Sequence, residues 1–223
     1  TDIAIGSALL LGLKLPENFN RPYQALNIAD FWRRWHISLS NWLRDYLYFS
    51  MPGLRSKRKV FTYVNLFVTM LLGGLWHGAN WTFIVWGALH GGALAAQHGW
   101  RSFRGNPKPP AEWWRRLGPT LLTGHFVAFA WIFFRASSIE NAMAVAGRLG
   151  SGTVAFDNIS SGVAAVMAVA LAGHFMPRKW SDWAAGRFAE APFYAQAAAL
   201  AALVIVIEYL SMTGAAPFLY TQF

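Results

Sequence analysis

The side chains best suited to chemistry in this chain are its six histidines, His36, His77, His90, His98, His125 and His174. An imidazole can be buried neutral and still take a proton near pH 7, so a histidine in an apolar stretch is a candidate base. His77 has the most suggestive surroundings. Gly74 and Gly78 bracket it in a Gly-x-x-x-Gly spacing that lets two backbones approach closely. Trp76, Asn80 and Trp81 add aromatic walls and an amide. The same residues suit equally well a tight helix–helix turn in which His77 is hydrogen-bonded to a carbonyl. His90, inside Gly87-Ala-Leu-His-Gly91, reads as a close-packing residue. His98 and Arg101 end a helix, where a cation complements the dipole. His125 and His174 are single polar residues in apolar runs and read as satisfied core histidines.

Other chemistries lack their residues. There is no cysteine, which removes thiolate nucleophiles and thiolate metal sites. No His-x-x-x-His pair and no cluster of acids near a histidine exists, so no metal site is expected. No Gly-x-Ser-x-Gly elbow and no phosphate-binding glycine pattern occurs. Of the ten acids, only Asp2, Asp30, Asp45 and Glu208 lie in or beside apolar stretches. What remains is histidine acting alone as a base.

The elements that must position these residues follow from composition. Of 223 residues, 55% are hydrophobic, 16% aromatic and only 13% charged, about half the charge of a soluble domain. Apolar runs fall at about 3–15, 60–75, 81–98, 118–134, 162–176 and 193–210. This predicts an all-α, polytopic membrane helix bundle. The runs are shorter than the ~20 residues of a perpendicular crossing, so short, tilted and re-entrant helices are expected. The net charge of +9 is concentrated: Arg33 to Lys59 carries +6 and Arg101 to Arg116 carries +4. Basic clusters flanking apolar runs mark cytoplasmic loops, and no nucleic-acid partner is expected. With both ends cytoplasmic, 60–98 should be a hairpin turning at Gly73–Trp81, deep in the membrane or near its outer side. The segment 135–160 reads as a charge-balanced outer loop, Arg178, Lys179 and Arg187 as cytoplasmic, and the tail as uncharged.

Before the hairpin, residues 28–47 read as one amphipathic helix capped by Asn27, with Asp30 three residues on. At about 100° per residue, Phe31, Trp32, Trp35, Leu39, Trp42, Leu43 and Tyr46 share a face, opposite Arg33, Arg34, Ser40, Asn41 and Arg44. The expectation is a helix lying in the membrane interface, with His36 on the border of its faces as a polar rim residue. Pro16 and Pro22 punctuate an extended linker upstream.

Several long motifs carry a resemblance. Asn18-Phe-Asn-Arg-Pro-Tyr23, Phe31-Trp-Arg-Arg-Trp-His36-Ile-Ser-Leu-Ser40 and Trp42-Leu-Arg-Asp-Tyr-Leu47 resemble the membrane-bound O-acyltransferase family. So do Gly74-Leu-Trp-His77-Gly-Ala79, Trp81 and Gly87-Ala-Leu-His-Gly91. With Trp131-Ile-Phe-Phe-Arg-Ala136, they are most similar to its bacterial alginate O-acetyltransferase branch. One departure is Phe49-Ser-Met-Pro-Gly-Leu54, which stands where that branch usually has a Gly-Gly turn.

The resemblance implies a membrane helix bundle around a central tunnel, located in the bacterial inner membrane and crossing it several times. It makes His77 the catalytic histidine and His36 a second histidine important for activity, which could orient His77, stabilise the oxyanion or bind the donor. Trp76, Asn80, Trp35 and Asn41 are then candidates to line the tunnel. The implied reaction moves an acyl group, acetyl in this branch, from a thioester or carrier-linked donor to a hydroxyl of an exported polysaccharide. D-alanyl or peptidoglycan acyl transfer is the alternative, and a non-catalytic transport or partner subunit is another class. No bound cofactor is expected; membrane lipid and periplasmic acyl-transfer proteins are the expected partners. Thr1-Asp2-Ile3 shows no initiator Met and no charged leader, so residues 1–223 are expected to be the C-terminal portion of one domain. Its N-terminal helices would be missing, and the portion should not fold alone.

Overall fold

The computed structural model describes residues 1–53, 58–105, 109–152 and 159–211, the side chains of 209–211 excepted. Leu54, Arg55, Lys57, Lys108, Asp157 and the uncharged tail therefore lie outside the described residues, and the readings that involve them stay there. The described residues form helices and no strand. They fall into two compact units, Thr1–Val154 and Ala155–Phe223.

The first unit opens with α1, Asp2–Leu10, followed by an extended linker and a 3-10 turn at Pro22–Gln24. Two short helices follow, α2 (Ile28–Trp32) and α3 (Ile37–Trp42), then a π-helical turn at Leu43–Leu47 and a 3-10 turn at Tyr48–Ser50. The long helices are α4 (Lys59–His77), α5 (Trp81–Arg104) and α6 (Trp113–Arg135), with α7 (Ile139–Gly150) closing the unit. In the second unit, α8 (Ser161–Phe175), α9 (Arg178–Glu190) and α10 (Phe193–Ser211) follow one another. By length and apolarity α4 and α6 can each cross a membrane, while α8 and residues 193–208 are shorter apolar helices.

The hairpin exists, but its turn is shorter than the spacing predicts. Gly73 and Gly74 stay helical in α4, and only Gly78-Ala79-Asn80 separates it from α5. Glycine inside a helix is costly, and close packing accounts for it here. A Cβ on Gly74 would run into the carbonyl oxygen of Phe83, one on Gly87 into that of Met70, and one on Gly91 would meet the Phe67 backbone. Asn80 caps α5, its Oδ1 accepting the Thr82 N–H at 3.1 Å.

The single amphipathic helix over 28–47 is corrected in two respects. It breaks at Arg33–His36, where His36 takes a left-handed backbone (φ 45°, ψ 57°). The first part of its aromatic face packs in the protein instead: Phe31 and Trp32 are buried with Trp86, Val127, Ala130 and Phe133 of α5 and α6, while Trp42 and Tyr46 stay exposed. The outer loop 135–160 likewise contains helix α7, capped by Ser138, whose hydroxyl accepts the Asn141 N–H at 3.2 Å. The basic stretch after Arg178 is α9. Neither segment has a long apolar run to announce it.

Candidate active site

The left-handed residue is held from a distance. The linker at Asn18–Asn20 lies along the break: the Asn20 N–H donates to the Arg34 carbonyl at 2.8 Å and the Ile37 N–H to the Asn18 carbonyl at 2.9 Å. Asn18 Oδ1 also accepts the Ser38 N–H and hydroxyl, both at 3.0 Å. These four bonds fix the chain on both sides of His36. Its ring packs near Phe19, with centroids 6.0 Å apart, and its Nδ1 is buried with no partner among the described residues. Burial lowers the His36 pKa below the ordinary value.

From Asn27 to His36 the chain climbs along α5. At its start, Gln97 of α5 grips the first turn of α2, accepting the Ala29 N–H at 2.9 Å and donating to Asn27 Oδ1 at 2.7 Å. Asn27 Oδ1 also accepts the Asp30 N–H at 2.9 Å, and Asp30 Oδ2 accepts the Leu26 N–H at 3.1 Å, a reciprocal cap. Burial alone would raise the Asp30 pKa. The Leu26 N–H and the Arg34 and Arg33 guanidiniums outweigh it and hold the carboxyl below the usual range. Arg34 Nε lies 3.1 Å from Asp30 Oδ1 but out of line for a hydrogen bond.

One turn further, the Trp32 indole N–H donates to His90 Nδ1 at 3.3 Å. His90 is fully buried, and this bond places its own proton on Nε2, which has no acceptor among the described residues. The Trp86 Nε1 and Thr82 Oγ1 atoms are buried without partners too. Thr82, Trp86 and His90 recur every four residues, so the three orphaned polar groups form one stripe along α5.

His77 ends α4 beside the top of that stripe. Its ring meets Trp86 edge-on at 5.4 Å, Phe134 of α6 at 5.0 Å, Trp76 at 5.1 Å and Phe83 at 6.1 Å between centroids. It is half-buried, and no carbonyl among the described residues holds it. The His36 and His77 imidazoles lie within range of each other's charge. Two histidines 41 positions apart in sequence are thus close enough to interact electrostatically.

The other candidates are placed as follows. Trp35 stacks on Phe31 (5.5 Å, 16°) and meets Trp131 at 5.3 Å, forming a wall below His36. Trp76 is largely exposed beside His77. Asn80 uses its carbonyl as the cap and points its amide toward the Ser137 carbonyl at 3.5 Å. Asn41 is exposed on α3 with no contact to either histidine described. His98 packs against Tyr63, and His125 is an exposed residue of α6 bonded to the Leu121 carbonyl at 2.7 Å, not a core histidine. Among the described residues no three His, Cys, Asp or Glu side chains gather to hold a metal ion.

The profile of the membrane-bound O-acyltransferase family matches residues 1–140. The chain belongs to this family. The match takes in the residues described above, from Asn18 and His36 through His77, Trp86 and His90 to Phe134. Over 148 residues the chain is 49% identical to the peptidoglycan O-acetyltransferase of Helicobacter pylori, covering 65% of this chain and 27% of that protein. It is 49% identical over 146 residues to the probable alginate O-acetylase AlgI of Pseudomonas aeruginosa, covering 64% and 26%. A more distant relative is the teichoic acid D-alanyltransferase of Bacillus subtilis, 33% identical over 141 residues, 60% of this chain and 36% of the relative. The chain thus spans about a quarter to a third of the length of these relatives.

Sequence reasoning missed four residues that hold these segments or face His77: Asn18, Trp86, Gln97 and Phe134. Trp86 was visible as the residue four before His90, on the same helical face. Phe134 and Gln97 belong to periodic apolar helices and carry no local mark. Asn18 stood inside a matched motif, but its bonds to the His36 break join segments that no periodicity connects.

Proposed function

We propose that this protein is a membrane-embedded O-acyltransferase that moves an acetyl group onto a hydroxyl of an exported glycan, with His77 as the general base. The observation that carries this reading is the His77 imidazole, held by no carbonyl among the described residues, edge-on to Trp86 and Phe134 and close enough to His36 to feel its charge. A base here takes the acceptor's hydroxyl proton as the oxygen attacks the thioester carbonyl. The tetrahedral intermediate then collapses, expelling the donor's thiolate, which takes the proton back from the His77 imidazolium. No acyl-enzyme is needed.

The oxyanion requires donors that do not have to reorganise. Trp86 Nε1–H and His90 Nε2–H supply two buried donors without acceptors among the described residues, whereas the Asn80 NH2 is directed at the Ser137 carbonyl. His36 then positions the donor or His77 from the linker side. Trp76 and Trp35 line the approach, and Asn41 frames it on the exposed face of α3. The cationic ends of the α4–α5 hairpin, opposite an uncharged turn, support a multi-pass protein of the bacterial inner membrane, with short and re-entrant segments. Donor thioester or carrier arrives from the cytoplasm, while acceptor glycan and periplasmic acyl-transfer partners meet the site from outside. The share of each relative that the chain covers supports residues 1–223 as the C-terminal portion of a single domain.

Both relatives at 49% identity carry O-acetyl transfer in their names, and the D-alanyltransferase stands at 33%, which favours acetate. The test is ester-linked acetate on envelope and secreted glycans from cells carrying the wild-type protein or His77→Ala at equal membrane level. Loss of acetate in the variant is the expected result, and the purified polymer identifies the acceptor. Unchanged acetate removes His77 as the base; ester-linked D-alanine in place of acetate shifts the donor class.

A further inference from the structure

The two basic stretches, far apart in sequence, line one cavity. It measures about 770 Å³, within the usual 300–1,000 Å³ range of ligand clefts. Arg33 and Arg34 line it from the break after α2, Arg101 and Trp100 from the end of α5, and Arg116 from the start of α6. Among the described residues Asp30 is the one acid in its wall, and it is already shared between Arg33 at 3.3 Å and Arg34 at 3.1 Å. Arg116 spends its Nε on the Pro110 carbonyl at 2.8 Å, which leaves its terminal nitrogens for another partner. Arg101 has no hydrogen bond or ion pair among the described residues. Four guanidiniums facing one satisfied carboxylate leave a concave surface with an excess of three positive charges. An anion with several acceptor oxygens matches the planar forks of Arg101 and Arg116.

Its position selects the kind of anion. Arg101 lies twenty residues along α5 from Trp81, a rise of about 30 Å, which is the thickness of the hydrocarbon core. The cavity is therefore at the opposite membrane surface from the His77 turn. Trp100 beside it is exposed and carries Arg104 4.6 Å from its ring centre, the aromatic and cationic pairing of a headgroup boundary. We propose that this arginine cavity binds the phosphate of an anionic phospholipid headgroup from the cytoplasmic leaflet. The lipid ties the end of α5 to the first turns of α2 and α6.

The experiment uses the full-length protein, purified with mixed phosphatidylglycerol and phosphatidylcholine, and counts retained lipids by native mass spectrometry. Phosphatidylglycerol should be retained over phosphatidylcholine. Arg101→Gln should lower that retention about fivefold, and Arg101→Lys, which keeps the charge but not the fork, should fall between the two. Arg101 holds no other residue, so the variant's fold is not at risk; an unchanged melting temperature checks this. Equal retention of the two lipids by the wild type, or retention unaffected by Arg101→Gln and Arg116→Gln together, overturns the proposal. Displacement of phosphatidylglycerol by inorganic phosphate overturns the lipid assignment and gives the same guanidiniums to a soluble phosphate.

Discussion

His36 separates two roles that usually travel together, a backbone conformation and a side chain. Its left-handed φ of 45° costs a residue with a β-carbon about 1 kcal/mol, a cost glycine does not bear. His36→Gly should therefore match or exceed the wild-type melting temperature while losing acyl transfer, and His36→Ala should melt below His36→Gly. An active His36→Gly protein would show that only the chain path matters. The imidazole also carries a pH signature. Burial lowers its pKa from the ordinary 6.5, so the folded state binds fewer protons than the unfolded one. The neutral side chain costs nothing above that ordinary value, and stability falls as pH drops from there toward the folded pKa. The melting temperature of the wild type should decline more steeply from pH 7 to pH 5 than that of His36→Asn, measured side by side. Equal slopes would mean that the buried imidazole is not what titrates.

At the level of elements, the α4–α5 hairpin rests on three glycines whose neighbours are backbone atoms. Because a backbone carbonyl cannot swing aside as a flexible side chain does, Gly74→Ala and Gly87→Ala must push the helices apart. Each should cost about 1–3 kcal/mol and disturb the His77–Trp86 contact. Gly92, in the same helix, has nothing within 4 Å of an added Cβ, so Gly92→Ala should be neutral or stabilising by up to about 1 kcal/mol. Thermal unfolding of the three variants in one detergent makes the comparison, and an equal loss at Gly92 would sink the packing argument. These helices were legible because long apolar runs and a Gly-x-x-x-Gly spacing are local signals. The break at His36 was not, since Phe31, Trp32, Trp35 and Leu39 keep helical phase across it. What imposes it is Asn18, two elements away, and a helical wheel contains no such term. The aromatic face was read correctly as apolar, but its Phe31 and Trp32 end was assigned to lipid, because composition does not distinguish a lipid neighbour from α5 and α6. His77 and His36 were legible as candidates; their convergence was not.

At the scale of the whole molecule the argument turns on which surface is which. The described ends of the hairpin, Lys59 at the start of α4 and Arg101 and Arg104 at the end of α5, carry cationic side chains, and Lys59 donates to Ser102 at 2.6 Å across them. The opposite end holds Ala79, Asn80 and His77 with no acid or fixed cation in the turn. Positive charge beside membrane segments stays in the cytoplasm, so the Ser102 end should face inward and the Ala79 end outward or into protein. The chain has no cysteine, which makes single substitutions clean reporters. In intact spheroplasts, Ser102→Cys should resist a membrane-impermeant maleimide and should label once the membrane is opened. Ala79→Cys should label from outside, or stay protected before and after opening if glycan or partner protein covers it. Labelling of Ser102→Cys in intact spheroplasts would invert the molecule. It would place the arginine cavity in the outer leaflet and bring the His77 end to the cytoplasm. A donor entering from the cytoplasm would then reach the base first, and the glycan would have to cross the membrane to meet it.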